Sequence, residues 1–299
     1  MATPTVKRRL RVEIEFISLI LCATRLDLSQ KEIKANVGKS KVCPGYEHWP
    51  SYYSRVMQSV MLITGGSRGI GSAIAVAATA AGYQVAITYE SSEAAAQQLV
   101  ADGHAALAIQ SDAGDEAATV ATVAQVIEEL GSLDALVNNA GIAGSYGTID
   151  TITGPILQRL WAVNISGPFI YAREAVRHMS TARGGTGGSI INISSKAAVL
   201  GGTGEWVHYA ASKGAIETMT TGLAKEVAAE GIRVNAVRPG LIETEFNDHA
   251  SPGRIERLRP QIPMQRSGTV EEVAAAVIWL CSDAASYTTG AFLDVSGGR

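Results

Sequence analysis

Cysteine is scarce in this 299-residue chain, which has only Cys22, Cys43 and Cys281. They form no C-x-x-C pair and have no ligand spacing with histidine. That argues against a disulfide framework or a zinc site and makes a reducing cytoplasm the default compartment. Cys281, inside the apolar run VIWLC, reads as a small core residue. Charge is also sparse: 18% of residues are charged, against roughly 25% in an average soluble chain, and 46% are hydrophobic, so a disordered body is excluded. The four tryptophans are too few and too scattered for an aromatic cage. Trp161, Trp206 and Trp279 are expected to pack or to wall a pocket. No repeat of solenoid length is visible. Glycine is plentiful: the 31 glycines exceed the usual ~7%, have no period, and suggest tight turns and close ligand approach.

The net charge of −3 averages two unlike parts. Residues 1–56 hold ten Lys/Arg and five Asp/Glu, or +5. The remainder holds fifteen basic and twenty-three acidic residues, or −8. An acidic body with no basic stripe argues against a nucleic-acid partner. In the arm, KRRLR at 7–11 precedes FISLILCA at 16–23, but Glu13 and Glu15 interrupt the transition and no A-x-A pattern follows. The apolar run is far short of the ~20 residues that span a bilayer, so no membrane partner is expected. Residues 1–56 therefore read as an extension of unclear role, with Met57 or Met61 as the natural start. A targeting segment is the alternative. The single domain is expected over 57–299.

From Met61 the pattern changes. VMLITGG ends a short apolar run in glycine, as a buried parallel strand does. Helical and strand patterns then alternate: helix 70–81, strand 83–89, helix 91–102, strand 105–110, helix 115–130, strand 133–138, helix 155–180, strand 188–193, helix 207–230, strand 232–238, helix 269–283 and strand 290–295. This predicts an α/β, Rossmann-type, doubly wound seven-stranded parallel sheet with helices on both faces. Its ligand should bind at the carboxyl ends of the strands. The stretch 241–268 lacks a period and reads as a mobile substrate lid, with Glu243, Glu245, Asn247 and His249 as its polar candidates.

The first strand runs into TGGSRGIG at 64–71. Gly65 permits the turn, Gly69 lets a pyrophosphate approach the backbone, and Gly71 lets helix and strand pack closely. The N–H groups and dipole of the following helix favour anionic phosphates. No Gly-Lys-Ser/Thr follows, which excludes a P-loop. The place usually held by an acid that grips the ribose 2′-hydroxyl is Tyr89, and Arg68 lies in the loop where a guanidinium can meet a 2′-phosphate. Both favour NADP(H), with NAD(H) the alternative. Glu90 argues the other way, because its carboxylate would repel that phosphate.

Tyr209 and Lys213, in YAASK, share one helix face at i and i+4. A phenol with a pKa near 10 needs help for proton transfer at neutral pH, and a nearby ammonium lowers that value. The strand GSIINISS ends in Ser194 and Ser195, where a hydroxyl at the carboxyl edge can hydrogen-bond a substrate carbonyl.

Together, TGGSRGIG, NNAG at 138–141, the strand-end serines and YAASK resemble the short-chain dehydrogenase/reductase family in order and separation. VNISGPF, RPGLIET and YTTGAFLDVSGG add to the resemblance, which covers about 61–299 and is similar in detail to sugar-dehydrogenase-like and 3-oxoacyl-reductase-like members. It implies an NAD(P)-dependent oxidoreductase that interconverts a secondary alcohol and a ketone or aldehyde in a small-molecule substrate, by direct hydride transfer to or from the nicotinamide cofactor. Tyr209 would be the general acid in reduction and the base in oxidation. Lys213 would lower its pKa and bind the nicotinamide ribose. Ser195 would polarise the carbonyl, with Ser194 the less favoured choice, and Asn164 would hold a water relaying protons to Lys213. No metal is expected, since Ser195 and Tyr209 can supply the electrophilic assistance. The implied cofactor set is Gly65, Ser67, Arg68, Gly69, Ile70, Gly71, Tyr89, Asp112 (against the adenine), Asn138, Ala140, Gly141, Tyr209, Lys213, Pro239, Gly240, Ile242 and Thr244. Taken singly, Asp112 could equally cap the segment after it, Asn138 could serve a turn, and Thr244 could be an ordinary loop hydroxyl. Family members pair through helices equivalent to 155–180 and 207–230, so a homo-oligomer, tetramer or dimer, is expected. An epimerase or enoyl-type reductase using the same site, and a non-catalytic NAD(P) sensor, are the rival readings.

Overall fold

The computed structural model describes residues 59–244 and 253–299. The segment 1–56, with Cys22 and Cys43, lies outside the described residues, as do Glu245, Asn247 and His249.

Seven strands form one sheet: β1 (Val60–Ile63), β2 (Gln84–Tyr89), β3 (Leu107–Gln110), β4 (Ala135–Asn138), β5 (Gly188–Ile193), β6 (Ile232–Pro239) and β7 (Phe292–Val295). Their order is β3-β2-β1-β4-β5-β6-β7, and every pairing is parallel. The chain is therefore an α/β, doubly wound, seven-stranded Rossmann-type fold. The helices between strands are α1 (Gly69–Ala80), α2 (Glu93–Ala101), α3 (Glu116–Leu130), α4 (Gly154–Trp161), α5 (Gly167–Met179), α6 (Ala197–Leu200), α7 (Val207–Val227), α8 (Arg254–Leu258) and α9 (Val270–Cys281).

Strand alternation explains why both faces are covered. Val60 and Leu62 join a core with Val123, Tyr171, Ala172 and Met219, from α3, α5 and α7. Met61 and Ile63 point the other way, into a core with Ile74, Ala75, Val273 and Val277, from α1 and α9. A parallel sheet buried on both sides needs apolar runs rather than alternation, as VMLI provides. Caps fix the ends: Asp115 accepts the Ala118 N–H at 2.9 Å, and Thr269 and Glu272 form a capping box on α9.

Three expected elements differ. The helix expected over 155–180 is interrupted by a π-helical turn at Ala162–Ser166, because Pro168 in the next turn brings no N–H to the ladder. The helix expected to 230 gives way to a 3₁₀ turn at Ala228–Glu230. Within 253–268, which the sequence left without a period, α8 and a further 3₁₀ turn, Arg259–Gln261, do form, with Leu258 and Ile262 packed on Leu241. Trp279, expected to pack, is 43% exposed on α9, whereas Cys281 is buried and its thiol is pushed up to about 12 by burial.

Candidate active site

The sheet order reverses between β1 and β4, and a cleft of about 1120 Å³ opens at the carboxyl ends of the strands there. One end is built from the loop after β1. Gly65 has φ +62° and Gly69 has φ +55°, conformations that glycine adopts without strain. A Cβ on Gly71 would sit 2.3 Å from the Gly65 carbonyl and 2.7 Å from Asn139 Nδ2. The loop is pinned from three sides. Gly65 donates to Thr88 Oγ1 at 3.0 Å, Asn139 Nδ2 donates to the carbonyls of Thr64 and Gly65 at 2.9 Å, and Thr64 Oγ1 accepts from Asn139 and Ala140. α1 begins without a side-chain cap and with no acidic residue in its first turn, which suits a bound anion.

Asp112 lines the cleft after β3, paired with Arg159 at 2.7 and 2.9 Å and accepting the Gly114 N–H at 2.7 Å. The second contact is the capping alternative. Burial alone would raise the Asp112 carboxyl, but Arg159 and Gly114 outweigh it and hold the pKa below its ordinary value. Tyr89 lines the same end but is only 6% exposed, packed into the core beneath.

At the other end, α7 carries Tyr209 and Lys213 into the cleft, both buried. Lys213 Nζ lies 5.7 Å from the Tyr209 ring centroid and donates to the Ile193 carbonyl at 2.7 Å. Burial pushes the Tyr209 phenol up to about 12, while hydrogen bonding with Ser195 and the Arg254 guanidinium pull it the other way. Desolvation, not the lowering by Lys213 that the sequence suggested, sets the direction for the phenol, and it also pushes Lys213 itself down to about 8. Ser195 reaches Tyr209, whereas Ser194 turns away and donates to Glu217 Oε1 at 2.8 Å. Glu217 forms a fork with Arg238 at 2.6 and 2.7 Å, and Asp294 joins that cluster to Lys196. Because charged, hydrogen-bonded pairs hold their geometry well, this cluster fixes the turn that carries Ser195.

Two sequence-chosen residues do not line the cleft. Asn138 is buried between strands and donates to Asn192 Oδ1 at 2.9 Å, since alternation along β4 turns it away; its neighbour Asn139 takes the cleft position. Asn164, set inward by the π-helical turn, is fully buried. Its amide accepts from the Ile142 N–H at 2.9 Å and donates to the Ile142 carbonyl at 2.8 Å and to Ser212 Oγ at 3.0 Å. Ser67, Arg68, Gly69, Ile70, Ala140, Gly141, Pro239, Gly240, Ile242 and Thr244 all line the cleft.

Trp206 and Glu243, expected as a pocket wall and a lid residue, complete the walls together with Glu205 and Arg254, which the sequence did not single out. Trp206, 4% exposed, lies edge-on to Tyr209 and Tyr146 at 5.9 Å, with the Arg254 guanidinium 4.5 Å over its ring. Glu205 holds Arg254 and Arg257 at 2.9 Å. Glu243 lines the cleft and accepts from the Ser267 hydroxyl. Among the described residues no cluster of three His, Cys, Asp or Glu could hold a metal, and no helix is long and apolar enough to cross a membrane.

Comparison with known proteins agrees with this geometry. Residues 65–299 match the family described as enoyl-(acyl carrier protein) reductase. The chain is 49% identical over 248 residues to the oxidoreductase YgfF of Escherichia coli, covering 81% of this chain and 100% of that one. It is 36% identical to L-rhamnose 1-dehydrogenase (NAD(P)(+)) of a Sphingomonas species, covering 80% and 94%. A blue fluorescent protein from a metagenomic library, solved with NADPH, superimposes with TM-score 0.73 at 38% identity, covering 80% and 97%. The 3-ketoacyl-(acyl-carrier-protein) reductase of Brucella melitensis, solved with NADH, does so with TM-score 0.75 at 32% identity, covering 81% and 98%. With the glycine loop, the cleft and the Ser195–Tyr209–Lys213 cluster in one place, the chain belongs to the short-chain dehydrogenase/reductase family of NAD(P)-dependent oxidoreductases.

Proposed function

We propose that the protein interconverts an alcohol and the corresponding ketone or aldehyde, using NADP(H) in preference to NAD(H). The observation that carries this reading is the convergence of Ser195, Tyr209 and Lys213 on the cleft that the glycine loop opens. The cleft fits a dinucleotide: left-handed glycines at 65 and 69 and the uncapped start of α1 form a phosphate cradle, and Thr244 stands 3.6 Å from the space above Gly69. Gly65, Ser67, Gly69, Ile70 and Gly71 would hold the pyrophosphate, Asp112 and Tyr89 the adenosine end, and Ala140, Gly141, Pro239, Gly240, Ile242 and Thr244 the nicotinamide end. When bound, the dinucleotide supplies or accepts the hydride.

The chain's own residues handle the proton and the charge. In reduction, Ser195 donates a hydrogen bond to the carbonyl oxygen and Tyr209 gives it a proton; in oxidation, Tyr209 takes the proton back. Charged Lys213 steadies the phenolate and the ribose. Asn164 Oδ1 and Lys213 Nζ flank the space above Gly141, at 3.4 and 3.5 Å from where a Cβ would stand, and a water held there would return the proton to the lysine. Trp206, Tyr146 and the Glu205–Arg254 pair would choose the substrate. The similarity to L-rhamnose 1-dehydrogenase and 3-ketoacyl-(acyl-carrier-protein) reductase supports sugar-like alcohols and 3-oxoacyl carbonyls as the substrate classes in this reading. Oligomerisation through α4–α5 and α7 is part of the reading, since Phe169 on α5 is 49% exposed and Val207 on α7 is 41% exposed.

The test is a panel of ketones, aldehydes and sugar alcohols assayed with both cofactors. At least one carbonyl should consume NADPH, and Arg68→Ala should weaken NADPH far more than NADH. Equal losses would refute the 2′-phosphate assignment.

A further inference from the structure

Glu90 directly follows Tyr89 at the end of β2, one residue past the place of the ribose-reading acid, where its carboxylate would repel a 2′-phosphate. Here that carboxylate is held. Arg159, on α4, donates from Nη2 to Glu90 Oε1 at 2.8 Å and from Nη1 to both oxygens of Asp112 at 2.7 and 2.9 Å. The Glu90 backbone is fixed as well, its carbonyl accepting from Gln110 Nε2 at 3.1 Å. Room for the guanidinium is built into the fold: a Cβ on Gly114 would come within 2.7 Å of Arg159 Nη1. Glu90, Arg68, Tyr89 and Asp112 line the same end of the cleft.

We infer that Arg159 is a positioning residue for cofactor choice: it draws the Glu90 carboxylate aside and neutralises it, and so admits the 2′-phosphate of NADP(H) beside Arg68. This rests on the NADP(H) reading given above, and deepens it. A carboxylate released next to a phosphate would repel it at short range in a partly screened site, enough to change affinity by about tenfold. A ribose hydroxyl carries no charge, so NADH should be nearly indifferent to the clamp except through Asp112.

The experiment is calorimetric binding of NADPH, NADH and adenosine 2′,5′-bisphosphate to the full-length protein and to Arg159→Gln, Glu90→Gln and the double variant, with thermal melting as a check on folding. Arg159→Gln should weaken NADPH and the bisphosphate about tenfold more than NADH. Glu90→Gln should leave NADPH at least as tight as in wild type. The double variant should recover the NADPH-to-NADH ratio of Glu90→Gln to within about twofold. Equal weakening of NADPH and NADH in Arg159→Gln overturns the inference, as does a double variant that stays as weak for NADPH as Arg159→Gln, because the guanidinium would then touch the phosphate itself. The wild-type ratio separately tests the NADP(H) reading. A wild type that prefers NADH refutes that reading, while a fall in the ratio on Arg159→Gln, reversed by Glu90→Gln, still supports the clamp.

Discussion

Tyr209 and Lys213 stand four positions apart on α7, and burial drives their pKa values apart. The phenol is pushed up to about 12 and the ammonium down to about 8, so the lysine is the group that titrates first as pH rises. Reduction needs a protonated phenol and a charged lysine. The rate kcat/KM for carbonyl reduction should therefore be flat below about pH 7 and fall as pH rises through about 8, where Lys213 loses its proton. A pH–rate profile checks this, and a rate that climbs through pH 8 would contradict it. The residue pair was legible in the sequence because i, i+4 spacing is local. The direction of the phenol's shift was not, because desolvation depends on what Trp206 and its neighbours bury.

The β1–α1 loop and the π-helical turn show what an element contributes beyond its motif. Gly71 was recognisable from spacing, and the structure supplies the reason for it: the Gly65 carbonyl and Asn139 occupy the space a side chain would need. Gly71→Ala should cost about 1–3 kcal/mol through overpacking. It should lower Tm by about 2–4 °C per kcal/mol and weaken NADPH and NADH alike. Melting curves and binding isotherms together check this; unchanged stability with normal binding would contradict it. The interruption at Ala162–Ser166 was hidden because apolar periodicity runs through it, although Pro168 was a visible warning. Arg159 carried no local signal at all, since its partners lie 47 and 69 positions away and only the fold brings them together. Asn138, expected to support the cofactor from the fourth strand, lies behind the cleft wall for a different reason. NNAG names two adjacent asparagines, and the register of β4 decides which of them faces inward.

At the largest scale, the doubly wound parallel sheet was readable from seven strands alternating with helices, and with it the edge at which the cleft opens, whereas the order of the strands is set by long-range pairing. Every cleft-lining residue falls within 65–299, which is also the stretch that matches the family. A protein lacking residues 1–56 should keep its kcat/KM and its cofactor affinities, and steady-state kinetics of the truncated form checks this. A loss of activity without a loss of folding would give the basic segment a part in the reaction.

The central claim is that Tyr209 moves the proton in a hydride-transfer reaction performed at this cleft. Its most direct test compares wild type with Tyr209→Phe, following the loss of NADPH absorbance with a responsive carbonyl substrate and, in parallel, NADPH binding. Wild type should turn over and the variant should lose about 10²–10⁴-fold in kcat, with NADPH affinity unchanged within about twofold. If both proteins bind NADPH and turn over at the same rate, or neither turns over with any carbonyl, the account is contradicted.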